Sequence, residues 1–143
     1  MKTVKFTKEQ YENLLKLIYL GDWLVNSFRI ERITEFENIE NHLYSQAKDF
    51  GLDKLVVIDA ETQTYFPASS LEEAVTHFIE EYDEDNFWGE LCRKLGQRDF
   101  VRQYGQDAIQ KMKLDEMFQK EAEFIHKYAE EFEKNGLKNL EIV

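Results

Sequence analysis

Residues 70–82 read SLEEAVTHFIEEY. Ser70 and Glu73 have the spacing of a capping box, in which a hydroxyl and a carboxylate three residues apart satisfy each other's free backbone N–H groups at a helix start. Leu71, Ala74, Val75, Phe78, Ile79 and Tyr82 then recur every three or four residues, the period that puts apolar side chains on one helical face. Glu72 and Glu73 in the first turn also suit the positive end of the helix dipole. The stretch predicts a helix to about Glu81, and its pattern sets the fold class, because most of the chain repeats it.

Downstream, Asp85 is placed to cap a fourth helix with Phe87, Trp88, Leu91, Cys92 and Leu95 inward. Gly96 either ends that helix or lies inside it. Continuation to Tyr104 is the favoured reading, since one glycine costs only about 1 kcal/mol. After Gly105 the longest helix is expected over residues 114–135, with Leu114, Met117, Phe118, Ala122, Ile125, Tyr128, Ala129 and Phe132 inward and Asn135-Gly136 as its stop. The tail is expected to strap Leu137, Leu140 and Ile142 onto the bundle.

Upstream, Asp59 to Pro67 reads as a loop, and Leu55 to Ile58 is a short β-branched run that fits either a last helical turn or a strand. A second helix is marked by Ile33, Phe36, Ile39 or Glu40, Leu43, Ala47 and Phe50, with Gly51 at the position where helix ends take positive φ. A first helix starts near Lys8. Thr7 and Gln10 form its capping box, and Phe6 and Tyr11 its hydrophobic staple. From Tyr11 to Phe28 apolar residues surround this helix, as expected of a central helix or one at a subunit contact. The expectation is one domain spanning residues 1–143, all-α, a bundle of about five helices, with a short β-hairpin near residues 55–66 as the one amendment.

Composition narrows function by exclusion. The chain has 143 residues, 43% of them apolar, including eleven Phe, seven Tyr and two Trp, enough for one packed domain. The single cysteine, Cys92, allows no internal disulfide and fits a reducing compartment. Together with an N-terminus lacking a signal-peptide pattern, this points to the cytoplasm. The most apolar stretch, Leu14 to Val25, contains Lys16 and Asp22 and falls short of a membrane span, so no membrane association is expected.

Charge is unevenly placed. The net charge is −11, and between Leu55 and Cys92 there are ten carboxylates and no Lys or Arg. From Leu91 to Lys113 the sign reverses through Arg93, Lys94, Arg98, Arg102, Lys111 and Lys113. Such segregation serves either internal pairing or a charged partner. The leading expectation is a small interaction or regulatory module whose acidic surface, residues 59–90, engages a basic protein partner. Its contact residues are Glu80, Glu81, Tyr82, Asp83, Glu84 and Trp88, with the aromatic side chains as anchors. A variant of this reading is an acidic mimic of nucleic acid.

Two other classes compete. Glu123 and His126 form a Glu-x-x-His pair, and Glu73 and His77 are spaced i, i+4, the spacings by which helices present metal ligands. A di-metal bundle needs a second Glu-x-x-His and further inward carboxylates, which the sequence lacks, so no cofactor is expected. Asp83 and Asp85 open like an EF-hand loop, but Trp88 stands where the turn glycine belongs and Lys94 where a Glu must close the site. Arg93, Arg98 and Arg102, around a break near Gly96, loosely suggest a helix-turn-helix. The net charge argues against nucleic acid, and pairing of these cations with Glu72, Glu73, Glu80, Glu81 or Glu90 is the simpler reading. No phosphate loop, paired-cysteine motif or nucleophile elbow is present, so enzyme function has no positive support. A homodimer through Leu17, Leu20 and Leu24 of the first helix is the remaining partner expectation.

Overall fold

The computed structural model describes residues 3–141. It contains five α-helices and one two-stranded antiparallel sheet, a mostly helical fold with a short hairpin. The chain divides into two compact units, Met1–Glu80 and Glu81–Val143.

In the first unit, α1 (Lys8–Asn26) opens with the expected capping box: Gln10 N–H donates to Thr7 Oγ1 at 3.2 Å and Thr7 N–H to Gln10 Oε1 at 2.9 Å. Phe6 meets Tyr11 edge-on at 5.9 Å, completing the staple. Tyr11 stacks on Phe50 and donates from its hydroxyl to the Leu43 carbonyl at 2.7 Å, which locks α1 to α2 (Thr34–Ser45) and to the turn that follows it. The core is Tyr11, Leu15, Tyr44, Ala47, Leu52 and Leu71.

Two expectations change here. First, of the two readings of α1 the central helix does not hold, since Leu17 and Leu24 are exposed and Leu20 partly buried. Second, α2 stops at Ser45 and a separate 3₁₀ turn, Ala47–Phe50, reaches Gly51 at φ 66°. The buried line along this segment is Glu40, Tyr44 and Ala47, while Phe36 and Ile39 face outward. A spacing of four selects Glu40 over its apolar neighbour Ile39 because an arginine waits to pair with it.

After a second 3₁₀ turn, Asp53–Leu55, strands β1 (Val56–Ile58) and β2 (Tyr65–Pro67) pair in the register Val56↔Pro67, Val57↔Phe66 and Ile58↔Tyr65. The intervening turn is held by Asp59, whose Oδ1 accepts from Glu61 N–H at 2.8 Å and Thr62 N–H at 3.3 Å. These backbone donors hold the Asp59 carboxyl below its usual range. Asn41 Oδ1 accepts from Tyr65 N–H at 3.1 Å and ties the hairpin to α2.

α3 runs from Ser69 to Tyr104, 36 residues without interruption. The expected third and fourth helices are therefore one, and α3 rather than the segment 114–135 is the longest. No Gly or Pro falls between Glu81 and Asp85, so Asp85 lies mid-helix and caps nothing. The helix starts one residue before the expected capping box, and Ser70 Oγ instead donates to the Lys54 carbonyl at 3.0 Å.

In the second unit α3 continues through Gly96, as expected. A Cβ at Gly96 would stand 2.6 Å from Ile125 Cγ1 and 2.8 Å from the Ile125 backbone, so this glycine admits α5 (Leu114–Asn135) to close contact. A four-residue helix, α4 (Gln106–Ile109), lies between them in sequence. Cys92, Phe100 and Phe132 are buried, and Phe124 packs on both Phe100 and Tyr104. The inward line of α5 is Met117, Phe124, Ile125, Tyr128 and Phe132. Leu114, Phe118, Ala122 and Ala129, expected inward, are exposed, because the contact with α3 follows a narrower stripe than the apolar pattern allows. Leu137 and Leu140 are also half-exposed rather than strapped down, and Ile142 lies outside the described residues. Among the described residues no helix is long and apolar enough to cross a membrane.

Candidate functional site

Every residue from Glu80 to Phe87 is exposed, so this part of α3 shows solvent all its faces. Among the described residues, Glu80, Glu81, Asp83, Glu84 and Asp85 have no Lys, Arg or His partner within 4.0 Å. Tyr82 and Phe87 stand among them at 49% and 48% exposure. Trp88 does not join them as an exposed anchor. Its ring packs on Phe132 at 5.6 Å and its Nε1–H donates to Glu84 Oε1 at 2.6 Å.

The basic segment turns inward on itself rather than toward this acidic stretch. Arg93 donates to Glu90 at 2.6 and 2.9 Å and to Gln97 at 3.0 Å, and its hydrogen bonds hold the Glu90 carboxyl below the usual range. Arg98 and Arg102 both reach Asp99, at 2.8 and 3.5 Å. Tyr128 donates its hydroxyl to the other Asp99 oxygen, and Arg98 foremost, then Tyr128, depress the Asp99 pKa. Of the expected pairings only the one with Glu90 forms among the described residues. The break at Gly96 that a helix-turn-helix needs is absent, since α3 is continuous to Tyr104.

The two Glu/His pairs stay apart from further ligands. His126 is 74% exposed at its side chain and meets Glu130 at 3.2 Å rather than Glu123. Glu73 and His77 are exposed, and the His77 ring lies against Phe78. Asp83 and Asp85 are helical and cannot open a calcium loop. Among the described residues no three His, Cys, Asp or Glu groups are disposed to share a metal ion.

One polar constellation escaped the sequence reading. Arg32, in the loop between α1 and α2, bridges Asp22 at 2.6 Å, Glu40 at 3.0 Å and Glu37 at 3.3 Å. Asn26, itself buried, donates to Asp22 Oδ1 at 2.7 Å and accepts from Ile33 N–H at 3.0 Å, which fixes the loop. Burial foremost, then the nearby Asp22 charge, raises the Glu40 pKa against the pull of the Tyr44 hydroxyl and of Arg32. The signal was in the sequence as Asp22 inside the most apolar stretch and Glu40 on the inward register of α2. Neither residue names a partner until the chain folds.

Protein-family models, curated proteins and solved structures compared with this chain give no match.

Proposed function

We propose that the protein is an interaction module whose exposed acidic stretch of α3, Glu80 to Phe87, docks a basic protein partner. The observation that supports this reading is the unpaired state of Glu80, Glu81, Asp83, Glu84 and Asp85 around the half-exposed rings of Tyr82 and Phe87. Clustered like charges repel one another and cost stability unless an external cation meets them, and a row of carboxylates speeds encounter with a basic surface. The two rings supply apolar area that a desolvated contact needs at its centre. Trp88 serves from beneath, holding Glu84 in place through its indole N–H.

The test is salt-dependent capture of a partner from native extract, repeated with the triple variant Glu80→Lys, Glu81→Lys, Glu84→Lys and with Tyr82→Ala. The reading expects a basic protein retained by wild type at low salt, lost on charge reversal and weakened by loss of the ring. Equal recovery with all three proteins would remove the acidic stretch as the binding surface.

A further inference from the structure

In the first unit, the face shared by α1 and α2 leaves an apolar surface exposed among the described residues. Leu17, Gly21 and Leu24 are spaced i, i+4 and i+7, which puts them on one side of α1. Phe28 and Ile30 follow in the loop to α2, and Phe36 and Ile39 stand on the outward side of α2. All six of the large residues are exposed, Ile30 completely. A groove of about 310 Å³ runs between the two helices, with Ile18, Leu24 and Val25 on one wall and Phe36 and Ile39 on the other. Gly21 also lines it, and a Cβ added there meets nothing within 4 Å, so the groove is open down to the helix backbone. The two acids beside the groove, Asp22 and Glu40, are both held by Arg32.

The exposed parts of these six side chains amount to on the order of 700 Å², above the roughly 300–600 Å² of the largest apolar patch on a typical monomer. Two such faces brought together would bury about 1,400 Å², within the roughly 1,200–2,000 Å² of specific, stable interfaces. Charge says what can cover the face. The chain carries −11, so two copies repel unless they meet where no free carboxylates oppose one another, and this groove is such a place. A basic partner, in turn, finds no unpaired acid in the groove to hold it.

We propose that the α1–α2 face pairs with the same face of a second copy, forming a two-fold symmetric dimer. A two-fold contact uses one patch on both partners, so the patch must hold both the projection and the recess that receives it. This one does: Phe28, one turn beyond Leu24, projects beside the groove that Gly21 keeps open. Each copy supplies a ring to insert and a groove to accept one. The contact uses none of the residues from Glu80 to Phe87, so it stands independently of the docking role of α3, and each copy of the dimer carries its own acidic stretch.

The experiment is sedimentation velocity of the full chain from about 5 to 500 µM, in about 50 and 500 mM NaCl. Wild type is expected to pass from monomer to dimer across this range, with more dimer at high salt, where the repulsion between copies is screened. Leu24→Glu sets like charges into the contact, and Gly21→Gln fills the groove from a Cβ position that is open in the single chain. Each raises the dimer dissociation constant at least about tenfold while the circular dichroism spectrum stays that of wild type. Phe118→Glu, at an exposed position on α5, leaves dimerisation unchanged. A wild type monomeric throughout, whose face then belongs to a different protein or to a lipid surface, would overturn the proposal. So would a dimer that survives both α1 variants, is broken by Phe118→Glu, or dissociates on adding salt. Capture through the acidic stretch weakens with salt whereas self-pairing strengthens, so the failure of either reading is seen separately from the other.

Discussion

Glu40 is a carboxylate buried beside another carboxylate, and its energetics rest on one cation. Arg32 touches Asp22, Glu37 and Glu40 together, and only a planar, multiply donating group can do so from a single position. Arg32→Ala leaves the buried Glu40 charge uncompensated, and a loss of about 2 kcal/mol in urea unfolding is expected, below the range for fully buried pairs because the arginine is exposed and solvent screens it. Arg32→Lys should recover little of it. A carboxyl whose folded pKa lies above its unfolded value binds its proton more tightly when folded, so its contribution to stability is full below the unfolded pKa and falls as pH rises through the folded one. The stability of Glu40→Gln relative to wild type should therefore improve between pH 4.5 and 7, followed by urea unfolding across that range. A flat or opposite difference would mean that Arg32 outweighs burial at this site. Asp99 has the reverse sign. Its lowered pKa adds stability above the ordinary Asp range that is lost as acid protonates it.

Elements are decided by contacts that their own patterns leave open. α3 carries two glycines, Gly89 and Gly96, with opposite roles. At Gly89 an added Cβ meets nothing within 4 Å, so Gly89→Ala should stabilise the second unit by roughly 0.5–1 kcal/mol through helix propensity. At Gly96 the same methyl meets the backbone of Ile125 at 2.8 Å, and Gly96→Ala should cost about 1–3 kcal/mol by forcing α5 away. Thermal melts of the two alanine variants should move in opposite directions. Movement in the same direction would show that the α3–α5 contact is looser than the geometry implies. The capping box at Thr7 and the αL turn at Gly51 are local features, and each was legible because a few neighbouring residues determine it, whereas Leu55 to Ile58 fitted strand and helix alike until Val56–Ile58 paired with Tyr65–Pro67. The uninterrupted run of α3 was not, since Asp83-Glu84-Asp85 resembles a helix start as readily as a helix interior.

Across the whole molecule the excess negative charge has little internal relief. Salt bridges among the described residues gather around Arg32, Glu90 and Asp99 and bypass the stretch from Glu80 to Asp85. Screening should therefore stabilise the protein: raising NaCl from 20 to about 500 mM is expected to lift the melting temperature by a few degrees, because the Debye length shrinks below the spacing of these carboxylates. The Glu80→Gln, Glu81→Gln, Glu84→Gln variant should show a smaller gain. An equal gain in both would place the repulsion elsewhere.

The sequence by itself determined the helical class, the start of α1, the positive φ of Gly51, the stop at Gly136 and the uneven charge, because each follows from composition or from residues a few positions apart. Tertiary structure alone decided which face of α2 and α5 is buried, that Val56–Ile58 is a strand, that Gly96 is the point of close contact with α5, and that Asp22, Arg32, Glu37 and Glu40 pair as one polar group. The physical reason is that burial and charge pairing depend on which side chains meet across elements. An amphipathic pattern offers more apolar positions than a single neighbour can cover, and a lone Asp or Glu in an apolar stretch does not announce the arginine that will meet it.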